Sequence, residues 1–512
     1  MKNLLKLFLL LLFASFFTLK SWAFEAWNND LKTLFLSKKA VIYAVNIRTF
    51  GAKDLDRNGI IEENLGEESG NFTNAINRLD DLKASGVNTI LLMPITPTGK
   101  IKALGTAGSL YAAASFNEIN PQLKTPNSKL SIDDEAKNFI NECHKRKIRV
   151  IVDLPCCGAY DLYLKRPELF KKDKAQNPIV PVDWTDVRLL NAGDEQNINQ
   201  DVYSLYAQFV DMALALGIDG IRADVPALKP AAFWKKLISE TKGRNPEILF
   251  LAEASELWNE PVCDGAVFTS YKKLFDAGFD GYYGNYFNIK NWKTSQDLYS
   301  ALKADEELSK KYDGKIATIG SFSTHDELSP ILINGKNYSK MIIWLNATLP
   351  LNSYFIDGFD TGDDYIYFWA NRKAPKTFTD DEDYFVHRGK IDIFNFSRMP
   401  GGKSFDIKQE FVTANNLKTV ICDAFSKGEF TIHKTSSKSV FAYSRTLDQE
   451  GIIVIGNLDF RKSQNIVAHI PKIKQGSLVV PIKMGNIPKV CDGKISLQLD
   501  PGEILVMYVP KF

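Results

Sequence analysis

The chain contains few of the residues that build metal centres, disulfide frameworks or polyanion-binding surfaces. Its 512 residues include only 6 Cys and 5 His. The histidines stand singly and the cysteines are widely spaced, apart from Cys156-Cys157, so neither a zinc site nor a disulfide framework is indicated. The 63 basic residues are balanced by 61 acidic ones, and no basic tract is interleaved with aromatics, which argues against a nucleic-acid partner.

Long apolar runs are lacking as well, with one exception at the start of the chain. Lys2 and Lys6 precede an apolar run from Leu7 to Leu19, and Ser21-Trp22-Ala23 places small residues where a signal peptidase reads. We predict that residues 1–23 form a signal peptide and that the protein is exported, either to a periplasm or out of the cell. The run is shorter than the ~20 residues that span a bilayer, so we expect no membrane association after cleavage. An uncleaved membrane anchor and a buried N-terminal helix are the alternatives.

The remaining sequence alternates between short apolar runs and stretches of helical period, as parallel α/β folds do. The apolar runs number eight: 40–46, 89–94, 149–153, 217–224, 248–253, 280–286, 315–322 and 350–356. Helical periods cover 71–85, 131–146, 200–216, 230–242, 294–311 and 337–349. This pattern predicts a (β/α)8 TIM barrel, which we place within residues 24–427.

Two parts of the chain depart from this alternation. Residues 157–200 follow the third predicted strand without a clear period, and we interpret them as a short loop domain on the face where barrels carry their active sites. After a last predicted helix over 405–425, short alternating strands follow one another without helical intervals: 440–444, 451–458, 464–470, 495–499 and 504–509. We predict that residues 428–512 form a C-terminal antiparallel β-sandwich domain.

Acidic residues end three of the predicted strands. Asp224 closes the fourth strand, Glu253 closes the fifth, and Asp326 follows the seventh. Because parallel strands present their carboxyl ends on one barrel face, we expect these carboxylates to converge. Arg222 precedes Asp224 by two residues and lies on the same side of the strand, where it would hold Asp224 ionised as a nucleophile. Glu253 is then the candidate acid, and two carboxyls acting across one bond are the apparatus of glycoside hydrolysis.

These motifs resemble those of the α-amylase family of glycoside hydrolases, family 13. The resemblance is carried by Gly220-Ile-Arg-Ala-Asp224, by the pair His325-Asp326 and, more weakly, by Leu251-Ala-Glu253. Less specific similarities lie at 41–50, 93–99, 108–111 and 183–186. The resemblance implies a retaining mechanism in which Asp224 is the nucleophile, Glu253 the general acid/base and Asp326 the third carboxylate.

The same resemblance implies roles for four supporting residues. Arg222 and His325 would support the nucleophile and the sugar. Tyr111 would stack on the sugar at the cleavage point, and Asp153 would orient Arg222. These four residues complete the expected substrate-binding set.

One motif departs from the family pattern. Where the family carries Asp-x-x-x-Asn-His after the third strand, this chain has Asp153-Leu-Pro-Cys-Cys157-Gly158. Loss of the histidine contact to the sugar should weaken transition-state binding by about 1–3 kcal/mol unless Tyr160 or Asp161 substitutes for it. Loss of the asparagine also removes a ligand of the family's usual calcium site.

A different calcium site is predicted in the acidic turn after the first strand. Its oxygen ligands alternate as in the first nine positions of an EF-hand loop, with Gly59 for the sharp turn. The predicted ligands are Asp54, Asp56, Asn58, the carbonyl of Ile60, and Glu62. Leu65 stands where an EF-hand has its twelfth-position Glu, so Glu63, Glu67 or Glu68 would have to supply that ligand. A solvated acidic turn is the alternative.

We therefore expect a retaining glycoside hydrolase of the α-amylase type that cleaves α-glucosidic bonds in α-glucans or maltooligosaccharides. We expect it to act as a monomer on its saccharide substrate and to bind structural Ca²⁺. Three alternatives remain open. They are a transglycosylase that uses the same intermediate, a catalytically weak carbohydrate-binding protein (motivated by Cys157 and Gly158), and a barrel enzyme that uses Asp224 and Glu253 as metal ligands.

Overall fold

The computed structural model of the protein describes residues 27–56, 61–104, 108–181, 184–364, 401–425, 428–483 and 488–512. The predicted signal peptide lies outside these ranges, as do Asn58 and Ile60 of the predicted calcium turn. The described helices include none with the length and apolarity needed to cross a membrane.

Eight parallel strands form the central sheet, and each coincides with one of the predicted apolar runs. They are β1 (Val41–Val45), β2 (Thr89–Leu92), β3 (Arg149–Leu154), β4 (Gly220–Ala223), β5 (Leu249–Ala252), β6 (Gly281–Tyr282), β7 (Ala317–Thr318) and β8 (Ser353–Ile356). The strands pair in chain order from β1 to β7, and β8 pairs with β1. A parallel bridge between Ile319 and Asn352 joins the ends of β7 and β8. The sheet therefore closes on itself, and the predicted TIM barrel is confirmed.

One main helix follows each strand. These helices are α1 (Leu79–Ala84), α2 (Ile132–Lys145), α3 (Gln200–Leu216), α4 (Ala231–Arg244), α5 (Tyr271–Asp276), α6 (Ser295–Lys311), α7 (Pro330–Thr348) and α8 (Phe405–Phe425). Capping residues fix where these helices begin and end. For α3, the Asn199 side chain caps the first turn, and Gly217 ends the helix in the left-handed conformation at φ 87°. Apolar side chains at helical spacing bury one face of α2 against the barrel.

For the eight main helices, the prediction differs from the structure at three places. The interval 71–85 is divided into Phe72–Ala75, a 3-10 turn over Ile76–Arg78, and α1. Helix α7 begins seven residues before its predicted start, because a first turn from Pro330 is joined to it across the non-helical backbone of Asn334 and Gly335. The short helix α5 has no counterpart in the prediction.

A short helix over Leu31–Leu36 closes the amino-terminal end of the barrel. Leu31 and Phe35 are buried among the inward-facing residues of the strands. Glycines in two strands make room for them: a Cβ on Gly220 would lie 2.9 Å from the Leu31 side chain, and a Cβ on Gly281 would lie 2.5 Å from the Phe35 ring. The catalytic candidates lie at the opposite, carboxyl-terminal end.

The C-terminal region consists of two antiparallel sheets around a shared apolar core. One sheet contains Glu429–Ile432, Val440–Leu447, Glu450–Asn457, Val480–Pro481 and Ile504–Val509. The other contains Lys434–Thr435, Gln464–His469, Lys489–Cys491 and Lys494–Leu499. The predicted β-sandwich is thus confirmed, with four short strands that the sequence pattern did not indicate. A third, small sheet of Ala112–Ala113, Cys157–Ala159 and Val187–Arg188 lies in the loops after β2 and β3.

Candidate active site

The three predicted catalytic carboxylates all follow the carboxyl ends of barrel strands. The Asp224 amide donates to the Leu154 carbonyl at 3.0 Å, and the Glu253 amide donates to the Ala223 carbonyl at 3.1 Å. Each acid therefore continues the ladder of its strand by one residue, which fixes its backbone. Asp326 lies in the loop after β7 and is more exposed, with 48% of its side chain accessible against 10% for Glu253.

The guanidinium of Arg222 is the centre of the site and is fully buried. Its Nη1 donates to both oxygens of Asp153, at 2.7 and 2.8 Å, and to Oδ1 of Asp224 at 3.2 Å. Its Nη2 lies 2.8 Å from Oε1 of Glu253, and its Nε donates to the hydroxyl of Tyr283 at 3.2 Å. One cation thus holds three carboxylates together. Tyr283 was not predicted, since an aromatic residue at the end of a two-residue strand resembles ordinary core.

Tyr111 and His325 form a second layer over this centre. The Tyr111 hydroxyl donates to Oδ2 of Asp153 at 2.9 Å and lies 3.1 Å from Nε2 of His325. Because its single proton goes to Asp153, the hydroxyl oxygen must accept from His325, which places a proton on Nε2. The two rings are nearly parallel, with centroids 5.5 Å apart, and Nε2 lies 3.7 Å from Asp326. The structure therefore brings all seven predicted catalytic and substrate-binding residues into one connected cluster.

Burial governs the protonation of the clustered acids. Burial, reinforced by Asp224 and Asp326 and opposed by Arg222, raises the pKa of Glu253 to about 7. Burial also raises the pKa of Asp153 to about 6 against the effect of Arg222. The pKa of Asp224 is raised as well, because burial outweighs Arg222. Arg222 lowers the Asp224 pKa, as its position in the sequence led us to expect, but the loss of solvation raises that pKa by more.

Among the known proteins that the chain resembles are alpha-amylases and alpha-glucan maltosyltransferases. No family model matches the chain. The chain is 22% identical over 473 residues to alpha-amylase 3 of Dictyoglomus thermophilum, which covers 82% of this chain and 85% of that protein. It is 23% identical over 412 residues to alpha-1,4-glucan:maltose-1-phosphate maltosyltransferase 2 of Streptomyces coelicolor, which covers 77% of this chain and 57% of the relative. The crystal structure of the Geobacillus thermoleovorans alpha-amylase complexed with acarbose superposes with a TM-score of 0.64 at 17% identity, over 93% of this chain and 99% of that chain.

These similarities support the resemblance of the chain to the α-amylase family of glycoside hydrolases. The aligned region of the chain spans less than two thirds of the length of the first maltosyltransferases that it matches. The likeness to the solved structure shows the barrel and the C-terminal β domain, and the site geometry described above is this chain's own.

The departure from the α-amylase family motif after β3 is accommodated by packing. A Cβ on Gly158 would lie 2.7 Å from the Phe170 ring, which occupies the space that a larger residue would need. Cys157 is buried, with its Sγ 3.4 Å from Sγ of Cys156. The backbone of this segment still reaches the site, because the Cys156 amide donates to Oδ2 of Asp224 at 3.0 Å.

Tyr160 and Asp161, the two residues considered as substitutes for the family histidine, are engaged in local contacts. The Lys102 ammonium and the Arg188 guanidinium lie 4.2 and 4.8 Å, respectively, from the centroid of the Tyr160 ring. Asp161 accepts the amides of Lys100 and Ile101, both at 2.9 Å. These contacts tie the loops after β2 and β3 together.

The acidic turn after β1 brings two of the predicted ligands, Asp54 and Asp56, together with Glu67, one of the three glutamates named for the missing ligand. Oxygens of Asp54, Asp56 and Glu67 lie within 4.8 Å of one another. Glu67 is buried, and it accepts the amides of Leu55 at 2.6 Å and of Glu62 at 2.9 Å. Sequence reasoning named Glu67 only as one of three candidates for the missing ligand, because spacing alone did not show which glutamate folds back.

Proposed function

We propose that the protein is a retaining glycoside hydrolase that cleaves α-glucosidic bonds in α-glucans or maltooligosaccharides. The observation that carries this proposal is the shared contact of Asp224 and Glu253 with one guanidinium. Oδ1 of Asp224 lies 3.2 Å from Nη1 of Arg222 and Oε1 of Glu253 lies 2.8 Å from Nη2, so one cation holds a candidate nucleophile and a candidate acid in the same small site, as a retaining mechanism requires. The resemblance to the α-amylase family supports the same reaction class.

The proposed reaction proceeds in two displacements. Asp224 attacks the anomeric carbon while Glu253, protonated near neutral pH, gives its proton to the departing sugar oxygen. A covalent glycosyl-enzyme forms on Asp224, and Glu253, now ionised, takes a proton from water as that water attacks the same carbon. Asp326, the most exposed of the three catalytic candidates, and the neighbouring His325 would bind sugar hydroxyls.

Transfer to a sugar hydroxyl is the second candidate, and the named relatives favour it. Several of them are alpha-1,4-glucan:maltose-1-phosphate maltosyltransferases. Transfer requires only that an acceptor sugar displaces water in the second step. The two outcomes therefore depend on how the cleft excludes water, while the first step remains the same.

Product analysis tests both candidates. The mature protein is incubated with a panel of α-1,4 and α-1,6 glucans and maltooligosaccharides, beside Asp224→Asn and Glu253→Gln as inactive controls. Shorter products that vanish in both controls would establish hydrolysis, and products longer than the substrate would establish transfer. Binding of maltooligosaccharides without any product would contradict the enzyme proposal and favour a carbohydrate-binding protein.

We also propose that the acidic turn binds Ca²⁺ through Asp54, Asp56 and Glu67. Carboxylate oxygens are the ligands that Ca²⁺ prefers, and three such groups within one small volume repel one another unless a cation offsets their charge. Bound Ca²⁺ would fix the turn and so support β1. The unfolding temperature measured with Ca²⁺ and with EGTA tests this: it should rise with Ca²⁺, and Glu67→Gln should abolish the rise while Glu63→Gln, in the same turn, should not. An equal rise in both variants would place the ion elsewhere.

Export is proposed from the first 23 residues alone. Amino-terminal sequencing of the protein from periplasmic and culture fractions should begin at residue 24. A chain that retains Met1 in a membrane fraction would instead indicate an uncleaved anchor.

A further inference from the structure

A buried lysine and a buried tyrosine lie behind the candidate nucleophile. Lys229 follows β4 by six residues and is 1% exposed, and Tyr206 lies on α3 and is 0% exposed. The Lys229 ammonium lies 4.7 Å from the centroid of the Tyr206 ring. Burying an ammonium group is costly unless acceptors hold it, and burial accordingly lowers the pKa of Lys229. A residue retained at this cost calls for a role.

Both side chains donate hydrogen bonds to the same short stretch of backbone. The Lys229 ammonium donates to the Cys156 carbonyl at 2.8 Å. The Tyr206 hydroxyl shares its proton between the Pro155 carbonyl at 2.9 Å and the Cys156 carbonyl at 3.1 Å. This stretch is the one whose Cys156 amide donates to Oδ2 of Asp224 at 3.0 Å.

The geometry of one peptide unit connects these contacts to the nucleophile. The Pro155 carbonyl and the Cys156 amide belong to the same peptide group. A hydrogen bond donated to the Pro155 oxygen therefore polarises the Cys156 N–H and strengthens its hydrogen bond to Asp224. Lys229 fixes the next peptide and adds a positive charge behind the carboxylate. We propose that Tyr206 and Lys229 are positioning residues that hold the Pro155–Cys156 backbone so that its amide binds and orients Asp224.

This arrangement fits the departure of the chain from the family motif. Cys157 packs into a buried apolar cluster, and Gly158 has no side chain to extend into the cleft. The loop after β3 therefore supports the site through its backbone, and Tyr206 and Lys229 hold that backbone by its carbonyl oxygens. The inference rests on the proposed function only in taking Asp224 as the nucleophile.

Tyr206→Phe is the variant that tests the inference. It removes the hydroxyl and keeps the ring, which packs edge-on against Phe233 and Trp234. We expect kcat to fall about tenfold with KM nearly unchanged, which corresponds to the loss of one hydrogen bond acting on the reacting group. The acidic limb of the kcat–pH profile should move to higher pH, because a weaker amide donor stabilises the Asp224 carboxylate less.

A matched control lies on the same helix. Tyr203→Phe makes the same chemical change one turn away, where the hydroxyl binds Glu240 and the ring also packs on Phe233. It should leave kcat and the acidic limb unchanged. Lys229→Met should shift the acidic limb of the kcat–pH profile further than Tyr206→Phe does. Lys229→Arg, which retains the charge, should show a smaller shift than Lys229→Met. Equal effects of Tyr206→Phe and Tyr203→Phe would overturn the inference, since they would reflect packing alone.

A readout that needs no turnover separates this inference from the proposed function. Carbon-13 NMR of carboxyl-labelled aspartate follows the titration of Asp224, with Asp224→Asn to assign its signal. A higher Asp224 pKa in Tyr206→Phe than in the wild type supports the positioning role even if no glucan is cleaved. An unchanged pKa overturns that role, whether or not the wild-type protein is active.

Discussion

Arg222 is the residue on which the candidate site most depends, because it offsets the charge of three buried carboxylates. Arg222→Met would leave Asp153, Asp224 and Glu253 without their common partner, and we expect the free energy of unfolding to fall by about 3–5 kcal/mol. The native pKa values of these acids would then stand further above their unfolded values near 4. The native state would hold more protons than the unfolded state, so stability should fall as pH rises from about 4 through 7.

Urea unfolding at several pH values measures this effect. Arg146→Met is the control, since Arg146 pairs at the surface with Asp80 and Glu142 and should cost no more than about 1 kcal/mol. A loss from Arg222→Met that is small and independent of pH would contradict the idea that the three acids rely on this cation.

Glu253 should set the upper pH limit of activity. Its pKa of about 7 means that the proton needed by the leaving oxygen is lost above that pH, so kcat/KM should fall about tenfold per pH unit on the alkaline side. Glu253→Gln should lower kcat by about 10²–10⁴-fold. Glu256→Gln, three residues further along the same loop, should leave the alkaline limb in place. An alkaline limb well above pH 8 in the wild type would assign the proton to another group.

Residue types at strand ends were predictable, whereas contacts from distant segments were not. Asp224 and Glu253 could be placed because a parallel strand dictates where its last residue points. Tyr283, Tyr206 and Lys229 reach the site from other elements, and their local sequence is that of ordinary core or loop. The charge of Arg222, which lowers the Asp224 pKa, is visible in the sequence, whereas the burial that raises this pKa is a property of the whole fold.

At the scale of elements, the apolar runs predicted all eight barrel strands, since each run is buried on both faces. The helices were less certain at their ends. Phe72–Ala75 and α1 share one apolar periodicity, so the 3-10 turn between them left no trace in the pattern. Helix α5 is six residues long, which is too short for a 3.6-residue period to be recognised.

Glycines within the elements allow a paired test of packing. Gly281→Ala would place a Cβ 2.5 Å from the Phe35 ring and force the helix that closes the barrel to move. We expect it to lower the free energy of unfolding by about 1–3 kcal/mol. Gly243→Ala, in α4 with open space around the position, should raise it by up to about 1 kcal/mol. Chemical denaturation of the two variants gives both values, and a stabilised Gly281→Ala would mean that the closing helix does not pack as described.

At the scale of the whole molecule, the order of barrel and β domain was predictable from the change in periodicity. Their contact was not, because the residues that join them are apolar like any strand interior. Phe441, Tyr443 and Val454 of the sandwich belong to the same buried cluster as the barrel helices. The Tyr443 and Thr348 hydroxyls lie 2.6 Å apart, and the Tyr299 hydroxyl donates to the Ala442 carbonyl at 3.2 Å.

A shared core of this kind should make the two parts unfold together. We expect a single calorimetric transition for the mature protein, with equal calorimetric and van't Hoff enthalpies. Tyr443→Phe removes one buried hydroxyl and should lower the free energy of unfolding by about 1 kcal/mol without splitting the transition. Tyr508→Phe, whose hydroxyl binds Glu450 at the surface, should change little. Two separate transitions in the wild type would show that the sandwich is stable without the barrel, and Tyr443 would then be a contact between independent domains.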